Sequence, residues 1–494
     1  MNLLTIKNLK VRFSGFTPVR HVSLAVKEGE FVGLVGDSGS GKSTVGLSVL
    51  RLLPHAVLSG QILFKRQNLL QLNETELRDI RGRRIAMIFQ EPMSSLNPLM
   101  TVGEQIKESL FRRYRSFEKD KVFELLQLVE LTDTERVYKS FPHELSGGQR
   151  QRVMIAMALA GKPDLLIADE PTTALDVCVQ AQILTLLKTI QQKMGLAVLF
   201  ITHDLDIIRE MADRVYVMRY GKIVATRLPE KKESVIDRES GVDSPVVLKV
   251  NRLSVNYGSF RALEELSFNL CSGQTIALIG ESGSGKTSAA LALTRLISST
   301  GQIILNGKDF NKLKGRNLYQ VRSEIQMIFQ DSGASLNPRL TVSDLICEGL
   351  KIHFPKEKSE NRLMDVLKAV GLNPRLLNRY PHELSGGQKT RVALARGLIL
   401  KPSVLILDEV TASLDIQTQK QIIHLLLDLQ KKYKLAYLFI THDLKLIRLI
   451  ADNVIILKDG RVVEKGTVKS VLLTPCHEYT KTLLAASEFK KFKR

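Results

Sequence analysis

The amino-acid sequence predicts an α/β protein made of two tandem domains, each with a mixed, largely parallel sheet at its core. Its 494 residues are too many for one ordinary domain. Long segments recur within the chain, and short apolar runs such as FVGLV, LLIAD and AVLFIT alternate with helical patterns. This alternation is typical of parallel strands connected by helices. Together these observations favour a duplicated α/β domain.

The repeated segments define the domain boundaries. AVLFITHDL at 197–205 recurs as AYLFITHDL at 436–444, and LSGGQRQR at 145–152 recurs as LSGGQKTR at 384–391. A period this long indicates duplicated whole domains rather than a solenoid. We predict a first domain at 1–226, a charged linker at 227–245, a second domain at 246–465 and a C-terminal extension at 466–494 that the first copy lacks.

Composition excludes several classes of protein. The four cysteines are scattered without a CxxC pair, which predicts neither a disulfide framework nor a zinc site. No apolar stretch is long enough to span a bilayer, and MNLLTIKNLKVRF reads as a half-buried strand rather than a signal peptide. We therefore expect no transmembrane segment and a cytoplasmic location. The net charge of +20 leaves a nucleic-acid partner, an anionic membrane surface and a well-solvated surface all open.

Each copy contains a glycine-rich loop between a strand pattern and a helix pattern. GDSGSGKST starts at Gly36, directly after the apolar run at 31–35, and GESGSGKTS starts at Gly280. Glycines let backbone amides approach phosphate oxygens, and a helix N-terminus favours an anion. We expect Lys42 and Lys286 to pair with these oxygens, and the following Ser43 and Thr287 to offer a hydroxyl to Mg²⁺.

An acidic pair ends a buried strand in each copy. LLIADE occupies 165–170 and VLILDE occupies 404–409. Ligands of open α/β sheets bind at the carboxyl ends of the strands. We expect Asp169 and Asp408 to hold Mg²⁺ through water, and Glu170 and Glu409 to polarise an attacking water. One carboxylate at a strand end is common in any protein, whereas two in both copies are less so.

The pentapeptide LSGGQ is the third motif. Its serine, Ser146 in the first copy, suits a helix N-cap, and the two glycines bring backbone close to a ligand. An apolar helix is predicted at 153–160 directly behind it. A helix N-terminus with a hydroxyl and bare amides can bind an anion, although taken alone the segment also suits a simple helix cap.

The order of these motifs resembles the nucleotide-binding domains of ABC ATPases. Behind the phosphate loop follow Gln90, LSGGQ, the acidic strand, ALD at 174–176 and His203. The second copy repeats this order with Gln330, LSGGQ, its acidic strand, SLD at 413–415 and His442. The resemblance covers nearly the whole chain. It implies P-loop ABC-type domains, each with a helical subdomain, that bind and hydrolyse ATP with Mg²⁺ at two composite sites, each between the phosphate loop of one copy and the LSGGQ of the other.

The resemblance also assigns roles to individual residues. It makes Gln90 and Gln330 ligands of Mg²⁺ and parts of the catalytic machinery, with Glu170, His203, Glu409 and His442 as the other catalytic groups. Phe13 and Tyr257, each 23 residues before the first loop glycine, match the aromatic that stacks on adenine. The residues expected to bind nucleotide phosphates are Gly36, Ser38, Gly39, Gly41, Lys42, Ser43, Thr44, Gly280, Ser282, Gly283, Gly285, Lys286, Thr287 and Ser288, and from the LSGGQ segments Ser146, Gly147, Gly148, Gln149, Ser385, Gly386, Gly387 and Gln388.

The two copies differ at a few positions inside the motifs. Val410 stands where the first copy has Pro171, and KTR replaces RQR after the second LSGGQ. Neither change removes a catalytic group. We therefore expect both sites to hydrolyse ATP.

Further segments resemble one group of ABC importers. SLNP after each glutamine and TPCHEYTKTLL at 474–484 are similar to the oligopeptide, dipeptide and nickel group, and the fused layout is similar to the Yej-type importer of microcin C and oligopeptides. This implies two separate membrane-spanning permease subunits, an extracytoplasmic substrate-binding protein and a peripheral position at the cytoplasmic face of the inner membrane. Oligopeptides or peptide-like compounds are the expected cargo, with glutathione or nickel as alternatives, and no nucleic-acid partner is expected.

A translation factor acting on ribosomes is the alternative from another class. Soluble tandem ABC proteins also serve this role, and a positively charged chain suits RNA. That group usually carries TNHLD and a long basic linker, whereas this chain has TTALD, TASLD and a short linker of mixed charge. The sequence therefore favours transport.

Overall fold

The computed structural model describes residues 2–90, 95–114, 119–172, 175–227, 244–330, 333–355, 359–412 and 414–487. The described residues up to Arg227 belong to one compact unit, and those from Ser244 onward belong to a second. Most of the predicted linker lies outside the described residues, as do the first residues of the ALD and SLD triplets and the end of the C-terminal extension.

Unit 1 contains two sheets. Its strands are β1 (Asn2–Phe13), β2 (Phe16–Lys27), β3 (Phe31–Gly36), β4 (Val57–Phe64), β5 (Gln67–Asn68), β6 (Ile85–Ile88), β7 (Leu165–Asp169), β8 (Ala197–Thr202), β9 (Arg214–Arg219) and β10 (Lys222–Ala225). The first sheet has the order β2-β1-β4-β5 with antiparallel neighbours. The second has the order β10-β9-β3-β8-β7-β6 and is parallel except for β10 at its edge.

The N-terminal strand β1 follows the predicted alternation with one change of phase. Leu4 and Ile6 are buried, but the next buried residues are Leu9 and Val11, one position late for strict alternation. The register shifts at this point, where Asn8 has a left-handed φ of 50°. Because a β-bulge inserts one extra residue, it moves the following apolar side chains back to the buried face.

The parallel sheet is buried on both faces. All residues of β7 and β8 and the first five of β3 are buried, as near-continuous apolar runs predict. The central strands run in the same direction, so their carboxyl ends meet at one edge. The residues that follow β3, β7 and β8 are consequently neighbours.

The helices of unit 1 form a layer on the parallel sheet and a separate helical subdomain. They are α1 (Lys42–Val49), α2 (Glu74–Ile80), α3 (Val102–Tyr114), α4 (Lys119–Leu128), α5 (Thr134–Lys139), α6 (Gly147–Leu159), α7 (Val177–Met194) and α8 (Leu205–Met211). Helices α3, α4 and α5 pack together and α6 connects them to the sheet, through buried Ile106, Leu126 and Val153. The predicted α/β class with a helical subdomain is confirmed.

Unit 2 repeats this architecture. Its strands are β11 (Val246–Tyr257), β12 (Phe260–Cys271), β13 (Thr275–Ile279), β14 (Thr300–Leu305), β15 (Lys308–Asp309), β16 (Ile325–Ile328), β17 (Val404–Asp408), β18 (Ala436–Ile440), β19 (Asn453–Lys458) and β20 (Arg461–Thr467). Their orders are β12-β11-β14-β15 and β16-β17-β18-β13-β19-β20. Its helices are α9 (Lys286–Leu293), α10 (Gly315–Arg322), α11 (Val342–His353), α12 (Ser359–Val370), α13 (Gly386–Leu398), α14 (Ile416–Tyr433), α15 (Leu444–Ile450), α16 (Val468–Leu473) and α17 (Glu478–Ser487).

The last two helices distinguish unit 2 from unit 1. Strand β20 is seven residues long against four for β10, and α16 and α17 follow it. Residues 2–227 of unit 1 contain no helix after β10. None of the helices in the described parts of the chain has the length and apolar character needed to cross a bilayer.

Candidate functional site

The glycine-rich loop of unit 1 connects β3 to α1 in a conformation that requires glycine. Gly41 has a φ of 97°, in the left-handed region. A Cβ on Gly36 would lie 2.1 Å from the backbone carbonyl oxygen of Met218. Lys42 is 5% exposed, and its Nζ donates hydrogen bonds of 2.8 Å to the carbonyl oxygens of Gly36 and Asp37. The loop therefore curls around its own lysine.

The loop of unit 2 has the same geometry. Gly285 has a φ of 97°, and a Cβ on Gly280 would lie 2.4 Å from the carbonyl oxygen of Leu457. Lys286 Nζ donates to the carbonyl oxygens of Gly280 at 2.8 Å and Glu281 at 2.7 Å. Both loops lead directly into a helix N-terminus, which suits an anion such as phosphate.

A buried aspartate faces the phosphate loop of unit 1. Ser43 Oγ donates a 3.0 Å hydrogen bond to Asp169 Oδ1, which joins the start of α1 to the end of β7. Burial raises the pKa of Asp169 to about 6, and the nearby Glu170 charge acts in the same direction, against the Ser43 hydrogen bond and the Lys42 charge. The carboxylate thus carries an incompletely compensated charge.

Asp408 holds the matching position in unit 2. Burial raises its pKa to about 6, opposed by the Thr287 hydroxyl and the Lys286 charge. Among the described residues its Oδ1 is buried and has no hydrogen-bond partner. Such an orphaned carboxylate oxygen beside a hydroxyl-bearing residue fits a hard divalent cation, because Mg²⁺ prefers carboxylate, hydroxyl and water oxygens.

The glutamate after each buried aspartate sits in a strained turn. Glu170 has a φ of 45° and Glu409 a φ of 46°. Their backbone amides donate to the carbonyl oxygens of Ile201 at 2.8 Å and Ile440 at 3.0 Å, which ties each turn to the neighbouring strand. A left-handed backbone costs a non-glycine residue of the order of 1 to 2 kcal/mol. Because both units contain this costly backbone conformation, we infer that it positions the glutamate side chain.

Two side chains hold the carboxylate of Glu170, one on each oxygen. Gln90 Nε2 donates to Oε2 at 3.3 Å, and His203 Nδ1 lies 3.0 Å from Oε1. Gln90 follows β6 and His203 follows β8, so the glutamate is held from both sides of its own strand. The hydrogen bond to Glu170 raises the pKa of His203, although burial opposes it.

Glu409 is held in the same way. Gln330 Nε2 donates to Oε2 at 2.7 Å, and His442 Nδ1 lies 3.2 Å from Oε1. Burial acts to raise the pKa of Glu409, but the hydrogen bond and charge of His442, with the charge of Lys286, outweigh it and keep the pKa below its ordinary value. This glutamate is consequently ionised at neutral pH.

The turn that carries each histidine depends on a threonine that the sequence analysis did not single out. Thr202 Oγ1 accepts a 3.1 Å hydrogen bond from the amide of Asp204, and Thr441 Oγ1 accepts one of 3.0 Å from Asp443. Both threonines are buried at the ends of their strands. The repeated ITHDL string was the signal that could have identified them.

The two LSGGQ segments form helix N-termini and take no part in the hydrogen bonds described above. Ser146 Oγ accepts from the amide of Gln149 at 3.3 Å, and the Gln149 side chain accepts from the amide of Ser146 at 3.0 Å. Ser385 and Gln388 form the same capping box. Helix α6 starts at Gly147, directly after the predicted N-cap Ser146 and six residues before the apolar run at 153–160, because the reciprocal cap stabilises a first turn that contains two glycines.

The predicted adenine-stacking aromatics lie at hairpin ends. Phe13 stacks on Phe16, with ring centroids 5.1 Å apart. Phe16 is 61% exposed, and in unit 2 Tyr257 is 48% exposed and its strand partner Phe260 is 64% exposed. Each unit therefore presents aromatic surface to solvent at this hairpin.

The raised pKa of the buried aspartates predicts a pH-dependent stability. A carboxyl whose pKa rises from 3.8 to about 6 on folding contributes stability below pH 4 that is lost as the pH rises through 6. The difference amounts to about 3 kcal/mol per site. We expect Asp169→Asn and Asp408→Asn each to raise the melting temperature of the nucleotide-free protein by roughly 5 °C at pH 8, and by much less at pH 4.5.

This expectation is checked by thermal unfolding in a chelating buffer between pH 4.5 and 8. Asp428→Asn, at an exposed helical position, is the matched control and should leave the profile unchanged. An equal shift of the site variants at both ends of the pH range would show that burial of charge is not the cause.

Comparison with known proteins gives consistent matches. The model of the family described as ABC transporter matches residues 19–173 and 263–412. The chain is 44% identical to the peptidoglycan transport ATP-binding protein YejF of Agrobacterium fabrum, covering 98% of this chain and 96% of that protein. It is 46% identical to an uncharacterized ABC transporter ATP-binding protein YejF of Escherichia coli K12, covering 98% and 99%. It is 40% identical to the glutathione import ATP-binding protein GsiA of Escherichia coli K12, covering 98% and 89%. The predicted resemblance to Yej-type fused ATPases is confirmed.

Proposed function

The chain belongs to the ABC transporter family, and on this premise we propose that it drives the uptake of oligopeptides or peptide-like compounds through separate permease subunits. It is an ATPase and the ATP-binding subunit of an importer. The observation that carries the proposal is the pair of glutamates, each fixed by a glutamine and a histidine beside a phosphate loop. Both units have this arrangement, so we propose two hydrolysing sites.

The phosphate loops are the proposed ATP-binding elements. Lys42 and Lys286 would exchange their loop carbonyls for phosphate oxygens, and the amides at the start of α1 and α9 would donate to the same phosphates. Phe13 and Tyr257 offer a stacking surface for adenine. The LSGGQ residues are assigned to the nucleotide of the opposite copy on the family resemblance alone.

The buried aspartates are the proposed Mg²⁺ residues. Ser43 with Asp169, and Thr287 with Asp408, offer hydroxyl and carboxylate oxygens, and Gln90 and Gln330 offer an amide oxygen. Bound Mg²⁺ would neutralise charge on the phosphate oxygens during transfer. Its arrival would also stabilise the ionised form of both aspartates, whose pKa burial raises.

Glu170 and Glu409 are the proposed general bases. Each carboxylate has both oxygens held by side chains, so its orientation is fixed before water arrives. A carboxylate in this setting accepts a proton from the attacking water, and the neighbouring His203 or His442 contacts the γ-phosphate as that proton moves. Gln90 and Gln330 join this base to the segment that leads into the helical subdomain.

The helical subdomain is the proposed contact with the permease. Behind Gln90, Leu99 is 86% exposed and Phe111 is 57% exposed. Singly exposed apolar side chains are common on protein surfaces, so this assignment rests on the family resemblance of the segment behind each glutamine. A movement of the subdomain on ATP binding would pass through Gln90 to the membrane partner. We therefore propose a peripheral position at the cytoplasmic face of the inner membrane.

The names of the relatives support peptide-like cargo. One relative is named for peptidoglycan transport and another for glutathione import. Glutathione is a tripeptide and peptidoglycan contains short peptides, so oligopeptides are the class shared by both. Glutathione itself and nickel stay as alternative cargo. The ribosomal alternative has no support, since these relatives are transport or import proteins.

The proposed function is tested by copurification followed by reconstitution. We expect the tagged chain, extracted from gently solubilised membranes, to retain two multi-spanning permease subunits in mass spectrometry. Reconstituted with these subunits and their binding protein, its ATP turnover should rise severalfold with an oligopeptide and not with nickel. Recovery of ribosomes without a membrane protein would contradict the import function, whereas stimulation by glutathione or nickel alone would contradict the cargo.

A further inference from the structure

The peptide unit between Gly280 and Glu281 in the phosphate loop of unit 2 is held from both sides. Its carbonyl oxygen accepts a 2.8 Å hydrogen bond from Lys286 Nζ. Its amide donates a 3.2 Å hydrogen bond to the hydroxyl oxygen of Tyr479. The carbonyl and amide of a trans peptide point in opposite directions, so the two contacts together fix the orientation of the peptide plane.

Tyr479 belongs to the C-terminal extension, which is firmly attached to unit 2. The side chain of Glu464 accepts hydrogen bonds from the amides of Cys476 at 2.9 Å and His477 at 3.1 Å. His477 Nδ1 in turn accepts from the amide of Tyr479 at 3.1 Å. These contacts set where α17 starts. Leu483, one turn further along, is buried and anchors the helix.

The ring of Tyr479 is also fixed. The side chain is 7% exposed, and Lys458 Nζ lies 4.9 Å from the centroid of its ring. Lys458 follows Leu457, whose carbonyl oxygen would lie 2.4 Å from a Cβ on Gly280. The end of β19 and the start of α17 therefore both pack against the peptide unit between Gly280 and Glu281.

Unit 1 has the matching lysine, and its described residues end at Arg227, two residues after β10. Lys42 Nζ donates hydrogen bonds to the carbonyl oxygens of Gly36 and Asp37. The Met218 carbonyl lies against Gly36 as the Leu457 carbonyl lies against Gly280. Within residues 2–227, no helix follows β10. Among the described residues, a tyrosine hydroxyl meets the loop amide of Glu281 but none meets that of Asp37, and this distinguishes the second phosphate loop from the first.

We propose that Tyr479 is a positioning residue for nucleotide binding at the second phosphate loop and makes the two ATP sites unequal. The inference rests on the proposed role of Lys286 in binding phosphate. When Lys286 turns from the Gly280 carbonyl to a phosphate, the peptide loses one of its two hydrogen bonds and keeps the one to the hydroxyl of Tyr479. The remaining hydrogen bond lowers the free energy needed to hold the loop in its binding conformation, and this favours nucleotide binding. The second site should bind ATP more tightly than the first.

The test removes only the hydroxyl of Tyr479. In a Lys42→Ala background, where the second site is observed alone, Tyr479→Phe should weaken the binding of a fluorescent ATP analogue about fivefold, the size of one hydrogen bond. In a Lys286→Ala background the same change should have no effect on the remaining first site. Tyr433→Phe, at an exposed position of unit 2, is the matched control.

Kinetics separate positioning from a merely structural role. Since the tyrosine acts on the loop before and during the reaction, KM for ATP should rise with kcat nearly constant. Unchanged affinity in the Lys42→Ala background would overturn the inference, and so would a fall of kcat with constant KM and a lowered melting temperature. Failure of the proposed function gives a different result: the Lys42→Ala/Lys286→Ala protein would bind the analogue as the unaltered chain does.

Discussion

Replacement of Glu170 and Glu409 by Gln together lowers kcat for ATP hydrolysis by about 100-fold or more, while ATP still binds. Glutamine has nearly the shape of glutamate. Its oxygen can keep the contact with the histidine, and its NH2 group can donate to Gln90 or Gln330 once the amide of that residue turns over. The introduced glutamine cannot accept the proton of the attacking water, and a positioned general base contributes of the order of 100- to 10,000-fold. Phosphate release and equilibrium binding of ATP, measured on the same preparation, separate the two effects.

The single variants show whether both units hydrolyse ATP. If each unit works independently, Glu170→Gln and Glu409→Gln each leave about half of the turnover. If turnover requires both sites, either change alone lowers it as far as the double change does. Glu124→Gln and Glu360→Gln, at exposed helical positions, are the matched controls. A double variant that keeps more than a tenth of the original kcat would show that the glutamates are not the general bases.

The contiguous motifs were predictable because their geometry is local. A glycine-rich string between a buried strand and a helix has few conformations, and the structure places Lys42 inside the loop. An apolar run that ends in Asp and Glu likewise ends at the ligand-binding edge of a parallel sheet. These features depend on neighbouring residues, so a single sequence contains them.

Contacts between distant segments were not predictable in the same way. The order of motifs suggested roles for Gln90 and His203, but not that each holds one oxygen of Glu170. The close approach of Gly161 to Gly82, where a Cβ would lie 1.7 Å from a carbonyl oxygen, has no sequence signal at all. Such contacts follow from how strands and helices pack.

Helix starts show a third kind of difference. The apolar pattern suggested a helix at 153–160, whereas α6 starts at Gly147. A hydrophobic pattern reports only the buried face of a helix, and polar residues in the first turn escape it. The predicted N-cap Ser146 marked this start, and Gln149 completes it as a reciprocal cap, which a search for Ser-x-x-Gln before the apolar run finds.

The two units are alike in the proposed catalytic groups and differ around them. Both have the glutamate held by glutamine and histidine, and both bury the aspartate beside it. Val410 is buried where unit 1 has a buried Pro171, so this substitution exchanges one buried apolar side chain for another. The extension that reaches Glu281 belongs to unit 2. Unequal nucleotide affinity with equal chemistry is the combination that this arrangement favours.

Loss of the loop lysines should have the second large effect, on binding rather than on turnover. Lys42 and Lys286 are each 5% exposed and hold two loop carbonyl oxygens. Without the ammonium group, the bound phosphates lose their buried cation and the loop loses its internal donor. Two charge-assisted hydrogen bonds of about 1.5 to 3 kcal/mol each correspond to an affinity lower by about 100-fold or more.

Equilibrium dialysis with labelled ATP measures this effect as stoichiometry. The unaltered chain should bind two equivalents, Lys42→Ala and Lys286→Ala one each, and the double variant none at concentrations that saturate the original protein. Lys7→Ala and Lys249→Ala, exposed on β1 and β11, are the matched controls and should keep two equivalents. The one equivalent left in Lys42→Ala should be the tighter, because that site retains the tyrosine contact to its loop. Two equivalents in either single variant would mean that the lysine of that unit does not hold the phosphates.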